Sequence, residues 1–461
     1  TTVREMAASS RGYLRLVAGE GRVASHRVPA QKDAIGIDTE SATGIAQRPR
    51  YRPRPKLMQP AKEVRTANPC LKSPAAEPIA CLARRISVHR FTVPGLHFDK
   101  DPIMHYTRTL LSLLAVSLLS LAAATPAAAS DASLPAPPRT LVFLNWSEYI
   151  DPELVEEFEQ QFNAKVSEVY FESDDLRDDM MLETGAIGYD LVIVNGINVD
   201  SYRKRGWIAP LDQAALPNLK HVDQNWRNAF DSGNGYGVPY FWGTLGIAYR
   251  QDLVEQAPSS WMDVLQPAES LHGKIGMVEN ARDLLGMALK ALGHSANSTD
   301  PSAIKAAEQL LLAQKPYVKT YNYLALTEES ALVSGDIVAA MVYSGDALMI
   351  QEHDENIQYV LPAEGGNIWV DYLAVVESSR NKDLAWAFIN FLNEPEHAAQ
   401  LAEYVYYATP NTAAEKLLPQ EFLADPVIYP SEEALARSEF HAPLPPRAVK
   451  KRNLAFARVK Q

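Results

Sequence analysis

The sequence predicts an α/β protein built as two layered lobes, and three observations predict it. From residue 140 onward, short runs of β-branched and aromatic residues alternate with helical segments, the pattern of strand–helix–strand units with right-handed crossovers. After Tyr249 a second set of such elements begins. Neither an internal repeat nor a long linker separates the sets, so the chain is read as interleaved between two lobes rather than strung as two successive domains.

The elements follow in order. TLVFLNW (140–146) reads as a strand. Asp151-Pro152 supplies an N-cap and a first helical residue, and Leu154, Val155, Phe158 and Phe162 mark one helical face. AKVSEVYF (164–171) is the next strand, followed by a helix over 174–184 that Gly185 ends. YDLVIV (189–194) is a continuous apolar run of the kind buried in a parallel sheet. In the second set, 282–292 and 301–314 are helical and DIVAAMVY (336–343) is another buried strand. Helices over 382–392, with Leu384, Phe388, Phe391 and Leu392 inward, and over 395–405 come later.

Charge divides the 461-residue chain in two. Residues 1–129 hold 19 Lys+Arg against 9 Asp+Glu, a net of +10, and residues 130–461 carry a net of −22. An acidic body attracts cations and repels nucleic acid. Arg108 followed by the apolar run from Leu110 to Ala124 and by Ala127-Ala128-Ala129 reads as a secretory signal peptide over 104–129. The run is short for a bilayer span of about 20 residues. A signal peptide works at the start of a chain, so residues 1–103, with runs such as RPRYRPRPK, are expected to be a spurious or disordered leader. Both cysteines, Cys70 and Cys81, fall in that leader. The body after the signal therefore has no disulfide framework and no thiolate chemistry, and it is expected to be a periplasmic monomer.

No G-x-S-x-G, H-E-x-x-H or P-loop motif is present, and Gly273-Lys274 lacks a glycine-rich loop before it. The reading is a non-enzyme without cofactor or metal. Instead, aromatics and carboxylates recur together near strand ends: Trp146-Ser147-Glu148-Tyr149, Tyr240-Phe241-Trp242 in a turn-rich stretch, Tyr343-Ser344-Gly345-Asp346, and Trp369-Val370-Asp371. Ligands of open α/β sheets bind at strand ends. An alkyl diammonium ion needs carboxylates for its charged ends and aromatic faces for its methylenes. A Trp-x-Asp element supplies both from one side of a strand.

These stretches resemble a known family. NWSEYIDPELVEEFEQQF, GYDLVIVNG, VPYFWGTLGIAY, YSGDA, AEGGNIWVDYLAV and YYATPNTAAEKLL are similar, in order over about 139–435, to the periplasmic spermidine/putrescine-binding proteins of ABC importers. The resemblance implies a type II periplasmic-binding-protein fold, with lobe 1 over 139–246 plus 370–417 and lobe 2 over 247–369 plus 418–461. It implies a cleft between them that closes on a small cationic polyamine for delivery to a membrane ABC permease. Carried over residue by residue, it implies ligand contacts at Trp146, Ser147, Glu148, Tyr149, Asp283, Asp346, Trp369, Asp371 and Tyr407. Tyr343 stands where the family usually has Trp, Asn195 where Ser is usual, and Ile197 where some members have Tyr. Asn280 replaces an acid of the spermidine-binding members, and His441 falls near a polar contact. Trp242 joins the set from its aromatic cluster.

Three other readings differ in chemistry. The adjacent Tyr406-Tyr407 could serve a ferric-ion-binding protein of the same fold. The closed lobes could signal to a membrane receptor instead of a permease. An enzyme would require a cofactor site, and the sequence carries no dinucleotide fingerprint.

Overall fold

The structure, a computed structural model, describes residues 137–461 apart from 231 and 232. The expected leader, the signal peptide and both cysteines lie outside the described residues. The first elements are β1 (Arg139–Asn145), α1 (Pro152–Phe162), β2 (Ala164–Tyr170), α2 (Asp174–Thr184), β3 (Leu191–Asn195) and α3 (Gly196–Arg205). β1 pairs in parallel with both β2 and β3. The local signals act as the sequence implies. Asp151 caps α1 by accepting from Glu153 N at 2.9 Å, and Leu154 and Phe158 are buried on one face. Ser173 caps α2, and Gly185 ends it in the left-handed conformation.

Then come β4 (Val238–Arg250), β5 (Ile275–Gly276), α4 (Ala281–Ala291), α5 (Pro301–Gln314), β6 (Val318–Thr320), β7 (Ala339–Tyr343), α6 (Ser344–Gln351) and β8 (Ile357–Val360). The chain continues through β9 (Asn367–Val375), α7 (Lys382–Leu392), α8 (Pro395–Val405), β10 (Glu439–Phe440) and α9 (Pro446–Lys460). The sheet order is β2-β1-β3-β9-β4-β7-β5-β6, with β10 beside β9 and β8 beside β4.

β4 and β9 join two halves of this sheet. β4 pairs antiparallel with β9 through Val238–Thr244, then with β7 through Leu245–Tyr249. β9 also pairs antiparallel with β3, through Asp371–Val375. Two hydrophobic cores lie on either side. One gathers Phe143, Phe158, Phe388 and Phe391, with Phe158 against Phe388 at 4.6 Å between ring centroids. The other gathers Leu245, Trp261, Leu285, Leu311 and Met341, and α9 adds Ala455 and Val459 to it. A smaller cluster around Leu332, Ile337 and Ile350 packs under α6. This is the two-lobed α/β architecture that the sequence predicts.

One stretch differs. Tyr240-Phe241-Trp242 lies inside β4, not in a turn. Pro239 and Gly243 resemble turn residues locally, but Pro239 sits at an irregular register opposite Tyr372. Gly246 is needed for close packing, since a Cβ there would meet Val360 O at 2.5 Å. Among the described residues, no helix is long and apolar enough to cross a membrane.

Candidate functional site

A cleft of about 920 Å³, counting its open mouth, lies where the two halves face each other. That is the size range of small-molecule sites, roughly 300–1,000 Å³. Its floor comes from β9. Successive side chains alternate across a strand, so Trp369 and Asp371 face the cleft together while Val370 turns away into the core. Asn195 at the end of β3 is the register partner of Asp371 and donates Nδ2 to its Oδ1 at 3.3 Å. Tyr149 donates its hydroxyl to Asp371 Oδ2, also at 3.3 Å.

Asp346 stands in the first turn of α6, where a carboxylate suits the positive end of a helix. Tyr407 donates to its Oδ1 and Tyr323 to its Oδ2, each at 2.6 Å. Tyr407 also accepts from Asp346 N at 3.2 Å. This ring packs so closely on the start of α6 that a Cβ at Gly345 would lie 2.6 Å from its Cζ. Asp283 is in the first turn of α4, whose N-cap Asn280 accepts from Arg282 N and Asp283 N. Asp283 takes three hydrogen bonds: from His441 Nε2 at 2.9 Å, Asn367 Nδ2 at 3.1 Å and the Tyr343 hydroxyl at 2.9 Å.

Aromatic rings line the space between these carboxylates. Tyr343, Trp369, Tyr407 and Tyr149 follow one another edge to face, with centroids 6.0, 4.8 and 5.9 Å apart. Trp146 stacks near Tyr323 at 6.2 Å. Trp369 Nε1 is buried and has no hydrogen-bond partner among the described residues.

Burial sets the electrostatics. Desolvation first, and then the charge of Asp174, push the Asp371 carboxyl up to about 7, against smaller opposing effects of Arg177, Tyr149 and Asn195. Desolvation also raises Asp346 to about 6, against its two tyrosine hydrogen bonds. Tyr149, Tyr323, Tyr343 and Tyr407 are held well above the usual phenol range, first by burial and then by neighbouring carboxylates. Among the described lining residues the one arginine or lysine is Arg282, tethered by Nη2 to Asn198 Oδ1 on α3 at 2.9 Å. The site is thus acidic and aromatic, and an unpaired buried carboxylate is costly. Its chemistry suits a small organic cation with an apolar body.

The cleft brings together Trp146, Tyr149, Asn195, Asp283, Tyr343, Asp346, Trp369, Asp371 and Tyr407. Three other candidates lie elsewhere. Ser147 and Glu148 form an exposed turn after β1, with Glu148 at φ 55° and toward Tyr404, so they flank the lining residues Trp146 and Tyr149 without joining them. Trp242 is on the other face of β4, stacked on Trp226 at 4.5 Å in the core. Its neighbours Phe241 and Gly243 face the cleft aromatics instead. Tyr323 and Arg282 line the cleft without having stood out in the sequence. Tyr323 sits in a loop with no motif, while Arg282 was legible only as the residue between Asn280 and Asp283. The hydroxyls of the adjacent tyrosines do not converge: Tyr406 bonds Glu352 and Tyr407 bonds Asp346.

Comparison with known proteins gives a consistent picture. Residues 153–429 match the family described as bacterial extracellular solute-binding protein. The chain is 35% identical over 303 residues to the spermidine/putrescine-binding periplasmic protein of Escherichia coli K12, covering 65% of this chain and 86% of that one. It is 31% identical over 293 residues to the norspermidine sensor of Vibrio cholerae, covering 63% and 80%. Among solved structures, it is similar to the spermidine/putrescine ABC transporter substrate-binding protein of Streptococcus pneumoniae, with a TM-score of 0.60, 32% identity, and coverage of 70% of this chain and 98% of that one.

Proposed function

Because the chain belongs to the bacterial extracellular solute-binding protein family, we propose that its cleft captures a small polyamine of the putrescine or spermidine kind in the periplasm and delivers it to an ABC importer. One observation carries this reading: three buried carboxylates, Asp283, Asp346 and Asp371, share a cleft with a row of aromatic faces, and among the described lining residues there is one arginine and no lysine. The names of the related proteins support the same ligand class.

In this reading Asp346 and Asp371 take the ammonium groups, and Trp146, Tyr149, Tyr343, Trp369 and Tyr407 hold the methylenes. Asn195 orients Asp371. Ser147, Glu148 and Trp242 stay outside the contact set because the cleft does not expose them. The lobes are taken as 139–246 plus 370–417 and 247–369 plus 418–461. The body acts as a monomer after export by the signal peptide at 104–129, and it binds without turnover, cofactor, metal or nucleic acid. Ligand bridging both lobes stabilises the closed state because its contacts on both sides exist only there.

Calorimetric titration of refolded, ligand-stripped protein with putrescine, spermidine and spermine tests the reading. Micromolar or tighter binding to one of them supports it, and no heat with any of them refutes it. A sensing role has its own support in the Vibrio relative. In that case the closed form would associate with a membrane receptor rather than stimulate ATP hydrolysis by a reconstituted importer.

A further inference from the structure

The acids on one side of the cleft are already occupied by the protein itself. Asp283 accepts from His441, Asn367 and Tyr343, three of the roughly four acceptor positions a carboxylate offers. Glu279 forms an ion pair with Lys460 of α9 at 2.7 Å. On the opposite side, Asp174 of α2 pairs with Arg177 at 2.6 Å, and Glu172 lies exposed. Asn280 is neutral, and its carbonyl oxygen is used in capping α4. The acceptor left over beside Asp283 is Asn367 Oδ1, which has no partner among the described residues. It is uncharged and so holds an ammonium less strongly than a carboxylate does.

His441 is built into this place. β10 adds to β9 in parallel, with Glu439 opposite Asn367, and this brings the chain to His441 directly after it. The imidazole is 9% exposed and lies against Gly286, where a Cβ would stand 3.0 Å from its Cε1. Gly286 lies three residues after Asp283, on the same face of α4. A glycine inside a helix is unfavourable unless something needs the room, and here the room is filled by His441. Among the described residues, Asp371 in contrast has two donors, both at 3.3 Å, and Asp346 has two tyrosine hydroxyls and no histidine, lysine or arginine partner.

We propose that His441, accommodated by Gly286, is a specificity-determining residue that engages Asp283 and leaves Asp346 and Asp371 as the two ammonium acceptors, so that the cleft selects an α,ω-diamine over a triamine. The inference rests on the polyamine reading above and goes beyond it by fixing the number of charges the ligand carries.

The test is calorimetry of the whole chain with 1,4-diaminobutane and with spermidine, for the wild type, His441→Ala and Gly286→Ala. Gly286→Ala favours the helix while crowding the imidazole, so it keeps the experiment informative where His441→Ala fails to fold. The wild type is expected to bind the diamine at least tenfold more tightly than the triamine. Both substitutions are expected to shift that ratio toward the triamine, by fivefold or more for His441→Ala. Equal or tighter triamine binding by the wild type overturns the proposal, as does an unchanged ratio in the folded variants. Binding of neither amine overturns instead the polyamine reading on which it rests.

Discussion

Tyr149 and Asp371 are 222 residues apart in sequence, yet the tyrosine hydroxyl stands 3.3 Å from the aspartate Oδ2 at the bottom of the cleft. The carboxylate is buried, and its hydrogen bonds from Tyr149 and Asn195 are at the long end of the useful range. An incoming ammonium group would improve on both. Replacing Asp371 by Asn removes the charge and keeps the shape. The expected loss is on the order of 3–5 kcal/mol, as for breaking a buried ion pair, or at least a hundredfold in Kd. Titration calorimetry checks this, and a change below tenfold would remove Asp371 from the ligand contacts.

The raised carboxyls at Asp371 and Asp346, about 7 and about 6, make binding dependent on pH. A cationic ligand needs them ionised, so protons compete with it. Affinity is expected to fall on the order of a thousandfold from pH 8 to pH 5, with proton release on binding near pH 6. The sign for stability follows from the same values. Each folded-state carboxyl sits above its unfolded value, so the empty folded protein binds more protons and loses stability as pH rises from about 4 to about 7. Thermal melts across this range, with and without ligand, read both effects. A melting temperature of the ligand-bound form that gains no advantage with rising pH would count against the assignment.

Arg282 and Asn198 join α4 to α3 across the cleft mouth through one 2.9 Å hydrogen bond. This contact should help hold the lobes closed. Arg282→Ala is expected to cost about 1 kcal/mol of closure, seen as several-fold faster ligand dissociation in stopped-flow tryptophan fluorescence. An unaltered dissociation rate would show that the bond does not support the closed form.

Gly365 has φ +79°, and a Cβ there would meet Arg437 C and O at 2.3 Å. It shapes the turn ahead of β9 and packs the chain that leads to His441. Gly365→Ala should destabilise the protein by about 2 kcal/mol or more, a drop in Tm of roughly 3 °C or more in calorimetric scans.

Much of this was legible from local signals. The caps at Asp151 and Gly185, the 3.6-residue spacing of Leu154 and Phe158, and the alternation that pairs Trp369 with Asp371 all act over a few residues, where spacing decides direction. What was not legible depends on pairing. Nothing near Trp242 says that β4 is a single thirteen-residue strand, or which of its faces meets the core. That follows from its partners β9 and β7, more than ninety residues further along the chain. Tyr323 reaches Asp346 from the loop that follows β6, a stretch that carries no motif of its own. The three donors around Asp283 come from three separate segments, so their convergence is a property of the folded chain alone.

The placement of β9 between β3 and β4 also bears on how the protein is made. A nascent chain that ends before residue 375 exposes Leu191–Asn195 and Val238–Thr244 as apolar strand edges whose partner does not yet exist. Such edges join other chains readily, and closing a loop this long is slow. Until synthesis passes residue 375, those strands therefore lack the partner that covers them in the native sheet.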